Sequence, residues 1–232
     1  VLRIPGLATH ASLVHGMSTL ALGDMRAPAP GDAALTPAHR GFAEALGLEP
    51  DRLVVAGAVH DARVARVDEP VGVLRGFDAL VTDRPRLALL ATFADCYPVV
   101  LYDPAQRALA LAHAGWRGSR AGIAGRAVHA LRREYGSRPD DLIAGLGPGI
   151  CGRCYEVSKD VAGQFDATHT RPSRDGRFLL DLAAVNRDQL LAAGVRWGRV
   201  HVLGVCTRER PELPSHRRVP DGVRFACIAA IR

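Results

Sequence analysis

The sequence predicts an α/β fold: a single domain over residues 1–232 in which mixed β-sheets are flanked by helices, a layered α/β sandwich. Three observations carry this expectation. The chain has 232 residues, enough to bury one large core. Apolar runs of strand length alternate with stretches whose apolar residues recur at helical spacing. There is no internal repeat, no low-complexity tract, and no linker long enough to separate independent domains.

The elements follow in order along the chain. Residues 24–37 carry three prolines and no sustained periodicity, which reads as a loop after an N-terminal strand region. Thr36 then stands as an N-cap with Pro37 at the first helical position, and the helix runs through His39 to Leu46 until Gly47 stops it. Leu53 to Ala56, Leu87 to Phe93, Pro98 to Tyr102 and Ala108 to Ala112 read as buried strands. Ile123, Val128, Leu131 and Tyr135 share one helical face, with Ser119 as the expected N-cap and Gly136 as the stop. Further on, Asp141 to Leu146 and Val200 to Val205 read as strands, and Lys159 to Phe165 and Leu182 to Ala193 as helices.

The composition narrows the function classes. No apolar stretch approaches the roughly 18 residues of a membrane span, and the start does not resemble a signal peptide, so a soluble cytoplasmic protein without membrane partners is expected. The net charge of +6 comes mainly from dispersed arginine, without a lysine-rich arm and with 5% aromatics, a pattern that suits a small anionic substrate at least as well as nucleic acid, and no nucleic-acid partner is expected. Five cysteines, an odd number, do not make a disulfide framework; each is core filler, ligand or nucleophile.

Three segments end at residues that carry chemistry. His60 closes Val59-His60-Asp61, Cys96 lies in Ala94-Asp95-Cys96-Tyr97-Pro98, and His113 follows the apolar run from Ala108. Pro98 keeps Tyr97 out of helical geometry, which puts the Asp95-Cys96 pair at an abrupt strand end. Two imidazoles and a thiolate suit zinc or copper and leave a tetrahedral ion one open position. The spacing alone does not separate this ligand set from a buried cysteine with two hydrogen-bonded histidines. Gly115-Trp116-Arg117-Gly118-Ser119 reads either as an anion site, with Arg117 and freed backbone amides at a helix start, or as a tight turn plugged by Trp116.

At these residues the sequence resembles the laccase-domain family, the YfiH-like proteins once described as multicopper polyphenol oxidases. The resemblance rests on Ala94-Asp95-Cys96-Tyr97-Pro98-Val99, His113-Ala114-Gly115-Trp116-Arg117-Gly118, Gly147-Pro148-Gly149-Ile150 and Tyr155-Glu156-Val157. Cys206-Thr207, Ser215-His216-Arg217-Arg218 and Gly222 to Ala226 extend it to the C-terminal end. It implies zinc, or alternatively copper, on His60, Cys96 and His113, and phosphorolysis of adenosine, inosine and methylthioadenosine together with adenosine deamination. A purine nucleoside and phosphate are then the partners, and the protein is a monomer or small homo-oligomer. Asp95 enters either as a residue that orients a ligand or moves a proton or as a strand-end cap, and Arg117, Gly118, Ser18 and Thr19 as substrate contacts.

The chain departs from the family's usual residues at Ala58 and Asp61, which flank the Val59-His60 pair, and at Leu20 and His39. Cys151-Gly152-Arg153-Cys154 has no second CxxC to complete a knuckle and reads as structural or incidental, and Cys206 and Cys227 as core. Of the other histidines, His15 is the one expected to approach the site. Two other readings compete. A copper polyphenol oxidase needs a trinuclear centre, and nine histidines without His-x-His pairs do not supply one. A hydrolase of a cell-wall precursor or amide would use Cys96 as a nucleophile activated by His113.

Overall fold

Side chains alternate across a strand, so a strand that is apolar at nearly every position must be covered on both faces. The computed structural model of the chain, which describes residues 1–28 and 35–232, meets that demand with two stacked sheets and an outer layer of helices on each. The predicted loop 24–37 is irregular at 24–28 and 35–36, and 29–34 lie outside the described residues.

The N-terminal region contributes helix α1 (Pro5–Ala8), strand β1 (Leu13–Met17), helix α2 (Pro37–Ala45) and strands β2 (Leu53–Gly57), β3 (Val64–Arg66), β4 (Gly72–Arg75) and β5 (Ala79–Thr82). The centre is built from β6 (Ala88–Phe93), β7 (Tyr97–Asp103) and β8 (Ala108–Ala114), followed by α3 (Trp116–Arg120) and α4 (Ile123–Tyr135). Then come β9 (Ile143–Leu146), β10 (Glu156–Val157), α5 (Lys159–Ala162), β11 (Thr170–Pro172), β12 (Phe178–Leu180), α6 (Leu182–Ala192), β13 (Val200–Val202) and β14 (Phe225–Ile231).

One sheet has the order β1-β14-β6-β2-β4, the other β13-β9-β7-β8-β5-β3, and both mix parallel with antiparallel pairs; β10, β12 and β11 form a small third sheet. Leu89, Ala91 and Phe93 of β6 meet Val100 and Tyr102 of β7 and Leu109 and Leu111 of β8 in the layer between the large sheets. The alternate residues of the same strands point outward. Ala88 and Leu90 pack under Phe42 and Ala43 of α2, while Val99, Leu101, Ala110 and Ala112 pack under Val128 and Leu131 of α4 and Leu190 of α6.

The helix ends show where local chemistry agreed with expectation. Thr36 Oγ1 accepts from the His39 amide and His39 Nδ1 accepts from the Thr36 amide, each at 3.3 Å, a reciprocal cap. With Nδ1 accepting, His39 Nε2 carries the proton and donates to the Met25 carbonyl at 3.0 Å, so the departure at His39 has a structural role. Gly136, at φ 70°, ends α4 by bonding to the Leu131 and Arg132 carbonyls.

Other boundaries shift. Ser119 is not the N-cap of α4: a separate short helix α3 takes it in, and Gly122, at φ 82°, begins α4 instead. Ser119 is buried, where its hydroxyl accepts from Asn186 Nδ2 at 2.8 Å. The strands expected from Asp141 and through Val205 are shorter, because Pro139–Asp141 forms a 3-10 turn and the chain leaves β13 after Val202. The helix expected over Lys159 to Phe165 ends at Ala162.

Candidate metal centre

The β7–β8 hairpin sets the base of the site. Tyr97 pairs with Ala114 and Pro98 with His113, and continuing that register by one residue puts Cys96 opposite Gly115. His60 arrives from the other sheet, three residues beyond the end of β2. One donor atom from each of His60, Cys96 and His113 lies within 4.8 Å of the others, and the two imidazole rings meet edge-on with centroids 4.9 Å apart. Among the five non-glycine residues with positive φ in the described chain are His60 at 61° and Asp95 at 82°, so two of the three ligand loops hold strained backbone.

Asp78 holds the cluster together, and sequence reasoning passed over it. It is fully buried, and its carboxylate accepts from the amides of Val59, His60 and Asp61 at 3.1, 2.9 and 2.9 Å and from His113 Nδ1 at 3.2 Å. Burial opposes its ionisation, but the His113 contact and the amide donors prevail and leave its pKa below the ordinary value. Donation from Nδ1 to Asp78 leaves Nε2 of His113 as the free donor atom, the usual arrangement behind a ligating histidine. The available signal was a carboxylate directly before the apolar run Ala79-Leu80-Val81, where a buried acid needs a dedicated partner.

Cys96 and His113 are electrostatically linked. Burial raises the Cys96 pKa, but the two histidines outweigh burial and bring it to about 6. Burial also disfavours charge on His113, yet Cys96 and Asp78 push its pKa upward. A sulfur that ionises readily beside two imidazoles is the donor set a zinc or copper ion takes.

Gly115 tests whether an ion fits. A Cβ there would sit 2.8 Å from Cys96 Sγ, 3.3 Å from His60 Nδ1 and 3.7 Å from His113 Cε1, so the absence of a side chain leaves open the space the three donors share. The residues therefore fit a metal ion.

The cluster opens into a cavity of about 800 Å³. Trp116 and Tyr155 supply aromatic surface, and Arg75, Arg117, Arg217 and Arg224 supply positive charge. Arg117 lies over the Trp116 ring at 4.4 Å and Arg217 over Tyr155 at 4.7 Å, so both guanidinium groups are held by stacking. Ala58 and Asp95 also line the cavity. The Asp95 carboxylate is fully engaged: Thr207 Oγ1 donates to it at 2.7 Å and the Arg217 amide at 2.8 Å, while its carbonyl accepts from the Ile150 amide at 2.8 Å. The Asp61 carboxylate accepts from the Ala62 amide at 2.8 Å, and Asp61 is neither among the three donors nor in the cavity lining.

Other expected contacts lie elsewhere. Ser18 is fully buried, with its hydroxyl accepting from the Ala226 amide at 2.9 Å, and neither it, Thr19 nor Gly118 lines the cavity. Gly118 instead allows close packing, since a Cβ would come within 2.9 Å of the Asp61 carbonyl. His15 accepts from the Ile4 amide at 2.9 Å and faces a different small cavity, with Arg3, His10 and Arg232. Leu20 is exposed and begins a 3-10 turn. No helix among the described residues is long and apolar enough to cross a membrane.

Known proteins share this architecture. A purine nucleoside phosphorylase of Deinococcus radiodurans is 42% identical over 180 residues, 76% of this chain and 69% of that protein. Adenosine deaminase RL5, from an unknown prokaryotic organism, is 35% identical over 205 residues, 81% of this chain and 76% of that protein. The crystal structure of YlmD from Geobacillus stearothermophilus matches with a TM-score of 0.88 at 29% identity, covering 98% of this chain and 94% of that one. The family model for multi-copper polyphenol oxidoreductase laccase matches residues 19–231, and with these relatives it establishes that the chain belongs to that family, the YfiH-like laccase-domain proteins.

Proposed function

We propose that the protein is a zinc-dependent purine nucleoside phosphorylase that also deaminates adenosine, with His60, Cys96 and His113 holding the ion. The observation that carries this reading is the convergence of the three donors on the space above Gly115, at the base of a cavity with aromatic and cationic walls. Relatives named for both activities support it.

When bound, the ion supplies Lewis-acid activation of the atom placed at its open position. The chain's own residues do the rest. Trp116 and Tyr155 offer flat apolar surface for a purine, and the arginines of the cavity offer charge for phosphate. In phosphorolysis a phosphate oxygen bonds to C1′ of the ribose as the C1′–N9 bond breaks and the electrons leave on the purine. In deamination water adds at C6 and ammonia departs. Arg117 and Arg217, already immobilised on aromatic rings, lose little freedom on meeting an anion. Asp95 serves as a positioning residue that ties the Cys96 turn to Thr207 and Arg217.

Purified protein incubated with adenosine and phosphate is expected to release adenine and ribose 1-phosphate, and without phosphate to release inosine. Neither product at high enzyme concentration refutes the proposal. The lowered pKa of Cys96 beside His113 and His60 also favours a second reading, a cysteine hydrolase. Elemental analysis separates the two: one zinc lost on Cys96→Ala supports a ligand, and full activity in metal-free protein supports a nucleophile.

A further inference from the structure

The CxxC that looked incidental does not stand alone. Cys206 and Glu209, more than 50 residues further along the chain, fold against Cys151 and Cys154, and one donor atom from each of the four lies within 4.8 Å of all the others. Cys154 Sγ is 3.5 Å and Cys151 Sγ 3.8 Å from Glu209 Oε1. A tetrahedral zinc with bonds of about 2.3 Å to sulfur and about 2.0 Å to oxygen requires sulfur-to-oxygen separations of about 3.5 Å, close to those present.

The surroundings resemble those of a structural ion. The Cys151 amide donates to Cys206 Sγ at 3.3 Å, a contact that stabilises a thiolate. The Cys151 carbonyl accepts from the Cys154 and Tyr155 amides at 2.8 and 3.0 Å, which winds the CxxC into a tight knuckle with both sulfurs on one side. Arg153 Nη2 contacts both Glu209 oxygens, at 3.2 and 3.3 Å, and orients the carboxylate while offsetting excess negative charge.

We propose that Cys151, Cys154, Cys206 and Glu209 bind a second, structural zinc ion. Four protein donors fill a tetrahedral shell, so this site has no open position and clamps the chain, in contrast to the three-donor centre. The clamp joins two loops that shape the cavity wall: one leads into Tyr155, and the other runs through Thr207, which bonds to Asp95, to Arg217, which stacks on Tyr155. Each cysteine gives its proton to solvent on binding, and no redox step is involved.

The experiment is a zinc count by elemental analysis on the full-length protein, purified without chelator, alongside Cys154→Ser, Cys96→Ala and the double variant. The expected result is that Cys154→Ser removes one zinc equivalent whether or not Cys96 is intact, and lowers the melting temperature. Alkylation of the wild-type protein adds a reading that needs no variant: zinc should protect Cys151, Cys154 and Cys206 together, and chelation should release all three. An unchanged zinc count in Cys154→Ser, thiols that zinc does not protect, or a Cys151–Cys154 disulfide in the purified protein overturns the proposal. The inference stands apart from the proposed activity, because a catalytically silent protein would still give the trio's zinc count and protection pattern.

Discussion

Replacing Asp78 by asparagine isolates what its charge does, since shape is nearly conserved. The four hydrogen bonds divide two and two: Oδ1 accepts from the His60 amide and His113 Nδ1, and Oδ2 accepts from the Val59 and Asp61 amides. Asparagine keeps one accepting oxygen, so in either orientation two donors lose their acceptor and face an NH₂ group. At roughly 1.5–3 kcal/mol for each hydrogen bond to a charged group, the loss should be about 4 kcal/mol of folding stability. With the oxygen at the δ1 position the amides on either side of His60, itself held at positive φ, lose their acceptor; with it at the δ2 position the His60 amide and His113 lose theirs, and with it the partner that fixes the His113 tautomer. Zinc affinity at the three-donor centre should therefore fall by about 10- to 100-fold. Urea denaturation followed by fluorescence measures the first effect, and competition with a chromophoric chelator measures the second. A variant within about 0.5 kcal/mol of wild type, with unchanged zinc affinity, would refute the reasoning.

Three further outcomes are expected. Gly115→Ala should remove zinc from the His60, Cys96 and His113 centre with little change in folding, because Gly115 has φ −82° and ψ 174°, which alanine adopts freely, while the new Cβ would lie 2.8 Å from Cys96 Sγ; zinc content and melting temperature check this together. Burial, and then the charge of Arg3, lower the His15 pKa from 6.5 to about 4. A folded-state pKa below the unfolded one means this contribution is fully present above pH 6.5 and lost as pH falls toward 4. It amounts to about 3 kcal/mol, and denaturation midpoints for wild type and His15→Gln should diverge in their pH dependence across that window. Thr207→Val should cost about 1–3 kcal/mol by leaving Asp95 Oδ1 without its donor, and should raise KM for adenosine through the displaced Arg217; steady-state kinetics with a denaturation curve tests both.

The sequence by itself determined the layered α/β class, the central strands and the well-capped helices, because buried strands and helix ends write their requirements into adjacent residues. Leu87 to Phe93 needed cover on both faces, and Thr36 and Gly136 marked helix ends through local bonding. Cys96 and His113 were legible for a similar reason, since a single hairpin register brings them to the same end. Short strands such as Val64–Arg66 and Thr170–Pro172 left little pattern to detect, being three residues long and half exposed. What only the tertiary structure decided were the associations across separate elements. The meeting of His60 with the hairpin, the clamp of Asp78 on three successive amides, and the closing of Cys206 and Glu209 onto the CxxC all join segments 17 to 58 residues apart. Such contacts depend on sheet order and loop paths, which local propensity does not encode. Spacing alone therefore left His60, Cys96 and His113 behind ordinary buried residues, the motifs around them made them the expected ligands by resemblance, and the tertiary structure brought one donor atom of each within 4.8 Å of the others.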